Sequence, residues 1–366
     1  MKPIRLVVVS TSRSEFGQLA PIVRLLRHDP RFTTTFVVGG MHLDAGTPLP
    51  VETVGLEVHR LPRPADSLGL VHQRDLRDLL QTREAEAVLL LGDRFELLEL
   101  AIPVMLSGAV IAHLSGGERT AGAIDDQIRD AVSKLAHLHF PAHEQAGKRL
   151  EALAEEPWRI HVVGEPGLDA IAAEGLLSPA EIAGIIGVTP AAGDAVVALH
   201  PVTRDPAQTA NALAALAAWA TTFPGQIFFS SPNGDPGSDG VSSTWRFLAG
   251  PRRHVLGNHG ARFFRSLTGV CGLQIGNSSA GLVEAPSLGA ATIDLGTRQQ
   301  GRPRGASVRT VEHPTPASLA EAVAAAPELR IHAKPELNPY GDGRTATKVV
   351  EVLASLVRDP RITTKA

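Results

Sequence analysis

Short, almost uninterrupted apolar runs alternate with amphipathic stretches along this chain, and that alternation most narrows what it can fold into. The runs at 4–10, 35–38, 87–91, 110–114, 138–141 and 160–163 read as buried strands. Stretches between them, such as 16–27 and 126–136, carry helical periodicity. Strands apolar on both faces and parted by helices predict a parallel sheet covered on both sides. A second series follows at 195–199, 226–229, 270–275 and 291–295. Between the two series lies 177–193, rich in Ala, Gly and Pro. The expectation is an α/β chain of two Rossmann-like domains facing a central cleft. The first domain is 1–176 and the second 177–342, with a last helix within 343–366. Ligands of such sheets lie at the carboxyl ends of the strands.

With 366 residues the chain exceeds the usual span of one hydrophobic core, which agrees with two domains. A formal charge of −3 provides no basic excess to neutralise a nucleic acid backbone. The single cysteine, Cys271, excludes an internal disulfide and any CxxC site, and fits a reducing compartment. The first apolar run is too short for a signal-peptide core, and no run approaches the ~20 apolar residues of a membrane span. A cytoplasmic enzyme with neither a nucleic acid nor a membrane partner is expected. No His/Cys ligand set stands out, so neither a metal nor another cofactor is expected.

The first strand ends Ser10-Thr11-Ser12-Arg13-Ser14-Glu15. Ser12 with Glu15 three residues on is the pattern of a capping box. Arg13 stands in the first helical turn, where a cation opposes the helix dipole, and an anion such as phosphate explains it better. The third strand ends Leu91-Gly92-Asp93-Arg94-Phe95-Glu96. Asp93 either caps the next helix or projects a carboxylate into the cleft. The following strand ends His113-Leu114-Ser115-Gly116-Gly117-Glu118, and Asp125-Asp126 then open another helix. One of these aspartates caps that helix and the other is free. Asp93, Glu118 and Asp125 or Asp126 can thus converge. Several carboxylates in one site suit general acid–base chemistry, because burial and mutual repulsion push their pKa values apart.

In the second series, 195–199 ends at His200, a candidate acid or phosphate donor. The run 270–275 leads into Gly276-Asn277-Ser278-Ser279-Ala280-Gly281, a turn of small residues before a helix. Its amides and hydroxyls make a pyrophosphate cradle of Asn277, Ser278 and Ser279. Glu284, one to two turns into that helix, suits ribose hydroxyls. Arg298 and Arg302, in Gly296-Thr297-Arg298-Gln299-Gln300-Gly301-Arg302, can add charge-assisted bonds to phosphate.

Taken together these motifs resemble the hydrolysing UDP-N-acetylglucosamine 2-epimerases and their relatives in sialic- and legionaminic-type sugar synthesis. The resemblance spans nearly the whole chain and also rests on 134–140 and on Val163-Gly164-Glu165-Pro166-Gly167-Leu168-Asp169. It implies a GT-B fold whose last helix crosses back to the first domain. It implies that UDP lies mainly on the second domain, with Ser278 and Ser279 on phosphate, Glu284 on ribose, and Arg298 and Arg13 on the pyrophosphate. Arg94 joins these nucleotide-binding candidates. The implied reaction is anti elimination of UDP across C1–C2, then hydration to the 2-epimeric free sugar. Asp93 and Asp125 would be its acid–base residues, Asp126 their support, and His200 the assistant of the leaving diphosphate. A nucleotide-sugar partner and a homo-oligomer follow from the same resemblance.

The chain departs from its relatives at Gln18, Ser115 and Asp130, all on the sugar side. Many relatives carry an acid or histidine at the place of Ser115, two residues after His113, and Glu118 is the nearest carboxylate to take that role. A GT-B glycosyltransferase would share the nucleotide cradle but would not need several acids near C2. A non-catalytic nucleotide-sugar sensor would also bind without them.

Overall fold

In the computed structural model the described residues are 2–43, 53–62, 70–119, 125–203, 205–232 and 236–365, without the side chains of 13–15, 41, 70 and 71. The chain divides into two compact units, 1–170 with 343–366, and 171–342.

In unit 1 the strands are β1 (Ile4–Ser10), β2 (Phe32–Val38), β3 (Glu57–Arg60), β4 (Ala87–Leu91), β5 (Val110–Leu114) and β6 (Leu138–Phe140). They form one parallel sheet in the order β3-β2-β1-β4-β5-β6. The crossovers are α1 (Arg13–Leu26), α2 (Leu70–Thr82), α3 (Phe95–Ser107) and α4 (Asp125–Leu135), and α5 (Glu144–Ala152) follows β6. A short α6 (Asp169–Glu174) runs from this unit into the next. Every residue of β4 and β5 is buried, as a central parallel strand covered on both faces requires. Two apolar cores result, one on each face of the sheet.

In unit 2 the strands are β7 (Ala195–Ala198), β8 (Ile227–Phe229), β9 (Arg253–Val255), β10 (Leu273–Gly276), β11 (Ala291–Leu295) and β12 (Val308–Val311). Their order, again all parallel, is β12-β11-β10-β7-β8-β9. Its helices are α7 (Pro179–Ile186), α8 (Pro206–Thr222), α9 (Ser238–Leu248), α10 (Ala261–Cys271), α11 (Ala280–Val283), α12 (Pro316–Ala324) and α13 (Ala326–Arg330). The last helix, α14 (Thr345–Leu356), belongs to unit 1 and packs on α1. Its first two amides, Thr345 N–H and Ala346 N–H, donate to the buried Asp169 carboxylate at 2.9 and 2.6 Å. That anion offsets the orphan donors of the helix start.

Two expectations change. The segment 160–163 is not a strand: Ile160 makes only an isolated parallel bridge to His139. It is apolar because Val163 enters the core, not because it extends the sheet. The edge strands β3, β9 and β12 were not expected. They are half exposed and carry Glu57, Arg60, Arg253 and Arg309, so they lack an apolar run.

Candidate functional site

In unit 1 the carboxyl ends of β4 and β5 and the first turns of α4 meet around one guanidinium. Arg129 is 6% exposed. It pairs with Asp93, donates through Nη1 to Asp126 at 2.8 Å and to the Glu118 carbonyl at 2.8 Å. The helix after β4 has no side-chain cap from residue 94, and the Asp93 carboxylate is held by Arg129 instead of capping. Asp125 and Asp126 both lie within the first turn of α4, where their charge complements the helix dipole. Burial pushes the Asp93 carboxyl above the usual aspartate range; Arg129 opposes this, and repulsion from Asp125 and Asp126 adds to it.

Around this centre further groups are held in place. Arg119 donates to Asp130 at 2.9 Å and lies 4.0 Å from Asp126. Arg94 donates to Glu96 at 2.8 Å. Glu118 lies 2.9 Å from His143 Nε2. The other nitrogen of His143, Nδ1, accepts the Ala146 amide at 3.1 Å as the cap of α5, which leaves Nε2 to carry the ring proton. Ser115 has a left-handed backbone, φ 60°, a conformation uncommon for a residue with a Cβ. The side chains of Arg13 and Glu15 lie outside the described residues.

In unit 2 the ends of β7 and β10 are tied by Asn277. Its Oδ1 accepts the His200 amide at 2.7 Å, and its Nδ2 donates to the His200 carbonyl at 2.8 Å. The Asn277 side chain, 2% exposed, is therefore engaged with backbone, and its carbonyl accepts from Arg298 at 3.1 Å and Gln299 at 2.8 Å. Gln208 on α8 clasps the Arg298 loop by donating to Thr297 Oγ1 at 2.8 Å and accepting the Thr297 amide at 3.0 Å. The helix after Ser279 is only four residues long, so Glu284 ends it rather than lying a turn or more inside. A single turn of 3-10 helix containing Pro286 follows at once. Arg265 from α10 donates to Glu284 at 3.1 Å and fixes that carboxylate. Ser278 Oγ accepts the Ala280 amide at a long 3.4 Å. Arg302 lies in the same loop, where its carbonyl accepts from Arg304 at 3.0 Å.

Arg129, His143, Gln208 and Arg265 were not among the residues expected from sequence. The face of α4 that carries Arg129 was readable, since Asp126, Arg129 and Ser133 recur at helical spacing, but a buried arginine is recognisable only from its acceptors. Among the described residues no group of three or more His, Cys, Asp or Glu is placed to hold a metal, and no helix is long and apolar enough to cross a membrane.

The family model for UDP-N-acetylglucosamine 2-epimerase matches residues 24–354. The chain belongs to this family. A UDP-N-acetylglucosamine 2-epimerase of Neisseria meningitidis is 29% identical, over 97% of this chain and 95% of its own length. A hydrolysing UDP-N,N'-diacetylbacillosamine 2-epimerase of Legionella pneumophila is 27% identical over 99% and 98%. Among solved structures, UDP-GlcNAc 2-epimerase from Neisseria meningitidis bound to UDP-GlcNAc superposes with a TM-score of 0.76 at 16% identity, covering 96% of this chain and 99% of that one. The fold is the α/β GT-B type of these epimerase structures.

Proposed function

We propose that this member of the epimerase family is a hydrolysing 2-epimerase of a UDP-activated 2-acetamido sugar, UDP-GlcNAc or a relative carrying a further acetamido group. The observation that carries the reading is Asp93. Its carboxyl is raised by burial, it shares one buried guanidinium with Asp126, and the charge of Asp125 is near enough to raise it further. Abstraction of a weakly acidic C2 proton needs a strong base, and an environment that raises a carboxyl makes its anion a stronger one.

In the proposed reaction a carboxylate of unit 1 takes the C2 proton. The C2–H electrons form a C1=C2 double bond, and the C1–O bond breaks with its electron pair leaving on UDP. Water then adds, hydroxyl to C1 and a proton to C2 on the opposite face, to release the 2-epimeric sugar. Departing diphosphate requires donors and positive charge. In this reading Ser278, Ser279, Arg298 and Arg302 supply them, with Arg13 and Arg94, while His200 assists the leaving group and Glu284 takes the ribose. Asp125 serves with Asp93 in acid–base transfer, Asp126 supports both, and Glu118 is the carboxylate for the place that Ser115 leaves without one. The relatives acting on UDP-GlcNAc and on its diacetylated analogue support the choice of substrate class.

Incubation with UDP-GlcNAc in deuterated water tests this. Released UDP and a free 2-epimeric sugar bearing deuterium at C2 are expected. Transfer that occurs only when an acceptor is added would instead identify a glycosyltransferase. Asp93→Asn should lower kcat at least about a hundredfold with UDP affinity unchanged, whereas Glu284→Ala or Arg298→Ala should weaken UDP binding about tenfold. Calorimetric titration with UDP separates the two classes, and unchanged affinity in Glu284→Ala would remove the ribose assignment.

The pH dependence has a definite sign. Asp125 repels the charged form of Asp93 and so raises its pKa. Asp125→Asn should therefore move the acidic limb of the kcat/KM profile to lower pH. A limb that moves to higher pH would show that Asp93 is not the group being read.

A further inference from the structure

The most completely buried ionisable group near the acid cluster touches none of the acids. His113, on β5, is wholly inaccessible to solvent. Its register partner on β4 is Leu90, yet its ring reaches two residues further, and Nε2 lies 2.8 Å from the Gly92 carbonyl oxygen. Nδ1 lies 3.1 Å from Ser133 Oγ on α4, itself fully buried. A carbonyl can only accept, so Nε2 must carry the proton. Nδ1 is then the acceptor, and the Ser133 hydroxyl donates to it. Both ring nitrogens are thereby satisfied with one tautomer. Desolvation holds the ring neutral, its pKa pushed down to about 3, and the positive charge of Arg129 adds to this.

What the ring joins gives it meaning. Gly92 immediately precedes Asp93, and its amide donates to the Leu114 carbonyl at 3.0 Å. Ser133 is one turn beyond Arg129 on the same buried face of α4. His113 therefore links the turn that presents the carboxylate to the helix that presents its guanidinium. Gly116 closes over the pair so tightly that an added Cβ would lie 3.0 Å from Ser133 Oγ and 3.1 Å from His113 Nδ1.

We propose that His113, held by Ser133, is a positioning residue for Asp93: its Nε2–H grips the Gly92 carbonyl and fixes the carboxylate against Arg129. This rests on the acid–base reading of Asp93. The imidazole does not touch substrate and transfers no proton. It acts as a rigid neutral strut, and the serine sets its tautomer.

The experiment compares His113→Gln, His113→Leu and Ser133→Ala with the unaltered chain. Gln keeps a donor at the place of Nε2, Leu removes it, and Ala removes only the group that sets the tautomer. The readouts are kcat and KM with UDP-GlcNAc, UDP affinity by calorimetry, and titration of the Asp93 carboxyl by carbon-13 NMR, its resonance assigned with Asp93→Asn. For His113→Leu, kcat should fall about thirtyfold and UDP affinity stay within about twofold. The Asp93 titration should shift from its position in the unaltered chain, because a loosened turn changes both the exposure of the carboxylate to water and its distance from Arg129. His113→Gln should recover most of kcat and the original titration, and Ser133→Ala should fall about fivefold. If His113→Gln is as impaired as His113→Leu, or the Asp93 titration is the same in all variants, the proposal is wrong. It is equally wrong if UDP affinity falls in step with kcat, which marks a general loss of structure. Should His113→Leu not fold, Ser133→Ala and His113→Gln decide the matter by the same readouts. If the unaltered chain releases no UDP from UDP-GlcNAc or other UDP-sugars, the epimerase reading falls, and the titration still tests the strut.

Discussion

Arg129→Met is expected to lower kcat by about three orders of magnitude and to destabilise the chain by about 3 kcal/mol. The side chain is 6% exposed and binds three acceptors, Asp93, Asp126 and the Glu118 carbonyl. Methionine fills similar volume but leaves two carboxylates and a carbonyl without their donor. Breaking one partner of a buried pair costs far more than the pair contributes, because the remaining charge stays desolvated. Asp93 and Asp126 are 26% and 19% exposed, so water recovers part of that loss and the low end of the range applies. Loss of the cation also moves the Asp93 titration further up, since Arg129 is the group that opposes its burial. The proposed base then stays protonated up to a higher pH. Lysine at this position should restore little, because a single ammonium cannot span three acceptors as a planar fork does. Steady-state kinetics and urea denaturation check both halves. Near-normal turnover in Arg129→Met would falsify the assignment of this cluster as the acid–base centre.

Gly276→Ala is expected to prevent unit 2 from folding, at a cost above about 4 kcal/mol. Gly276 ends β10 with φ 141°, and a Cβ there would fall on the carbonyl of Ala198 in the neighbouring β7. The obstacle is backbone within a parallel ladder, so no rotamer change relieves it. The same closeness lets the Asn277 amide donate to the Ala198 carbonyl at 3.1 Å and the Asn277 side chain take both polar groups of His200. Expression in the insoluble fraction, or a thermal transition lost from unit 2 together with UDP binding, is the expected result. A soluble Gly276→Ala protein with unchanged UDP affinity would show that β7 and β10 can part without cost.

The Asn277 geometry shows where sequence reading stops. A Gly-Asn-Ser-Ser turn after a strand marks a helix start with polar groups to spare, and all three polar side chains look equally ready for phosphate. In the fold the Asn277 side chain is engaged with the backbone of His200, 77 residues earlier and just past β7, so it is not equivalent to the two serines. Asp93 went the other way. As an isolated aspartate before a helix it reads as a cap, yet the cap is not made, because Arg129 from a helix 36 residues on competes for the carboxylate. Glu284 was expected one to two turns inside the helix after Ser279, but the helix is only four residues long, because Pro286 and the 3-10 turn around it end it at Glu284.

What the sequence determined by itself is everything that depends on near neighbours and on burial of apolar runs. Two parallel α/β sheets, the central strands and the strand-end location of the acids all follow from periods of two and 3.6 and from the need to cover both faces of a parallel sheet. Only the tertiary structure decided which polar groups meet. The edge strands β3, β9 and β12 have no apolar signature because one side faces water. The guanidinium among the acids and the imidazole strut beneath them come from elements far apart in sequence. Their effect depends on distance and on exclusion of water, and neither is encoded in local spacing.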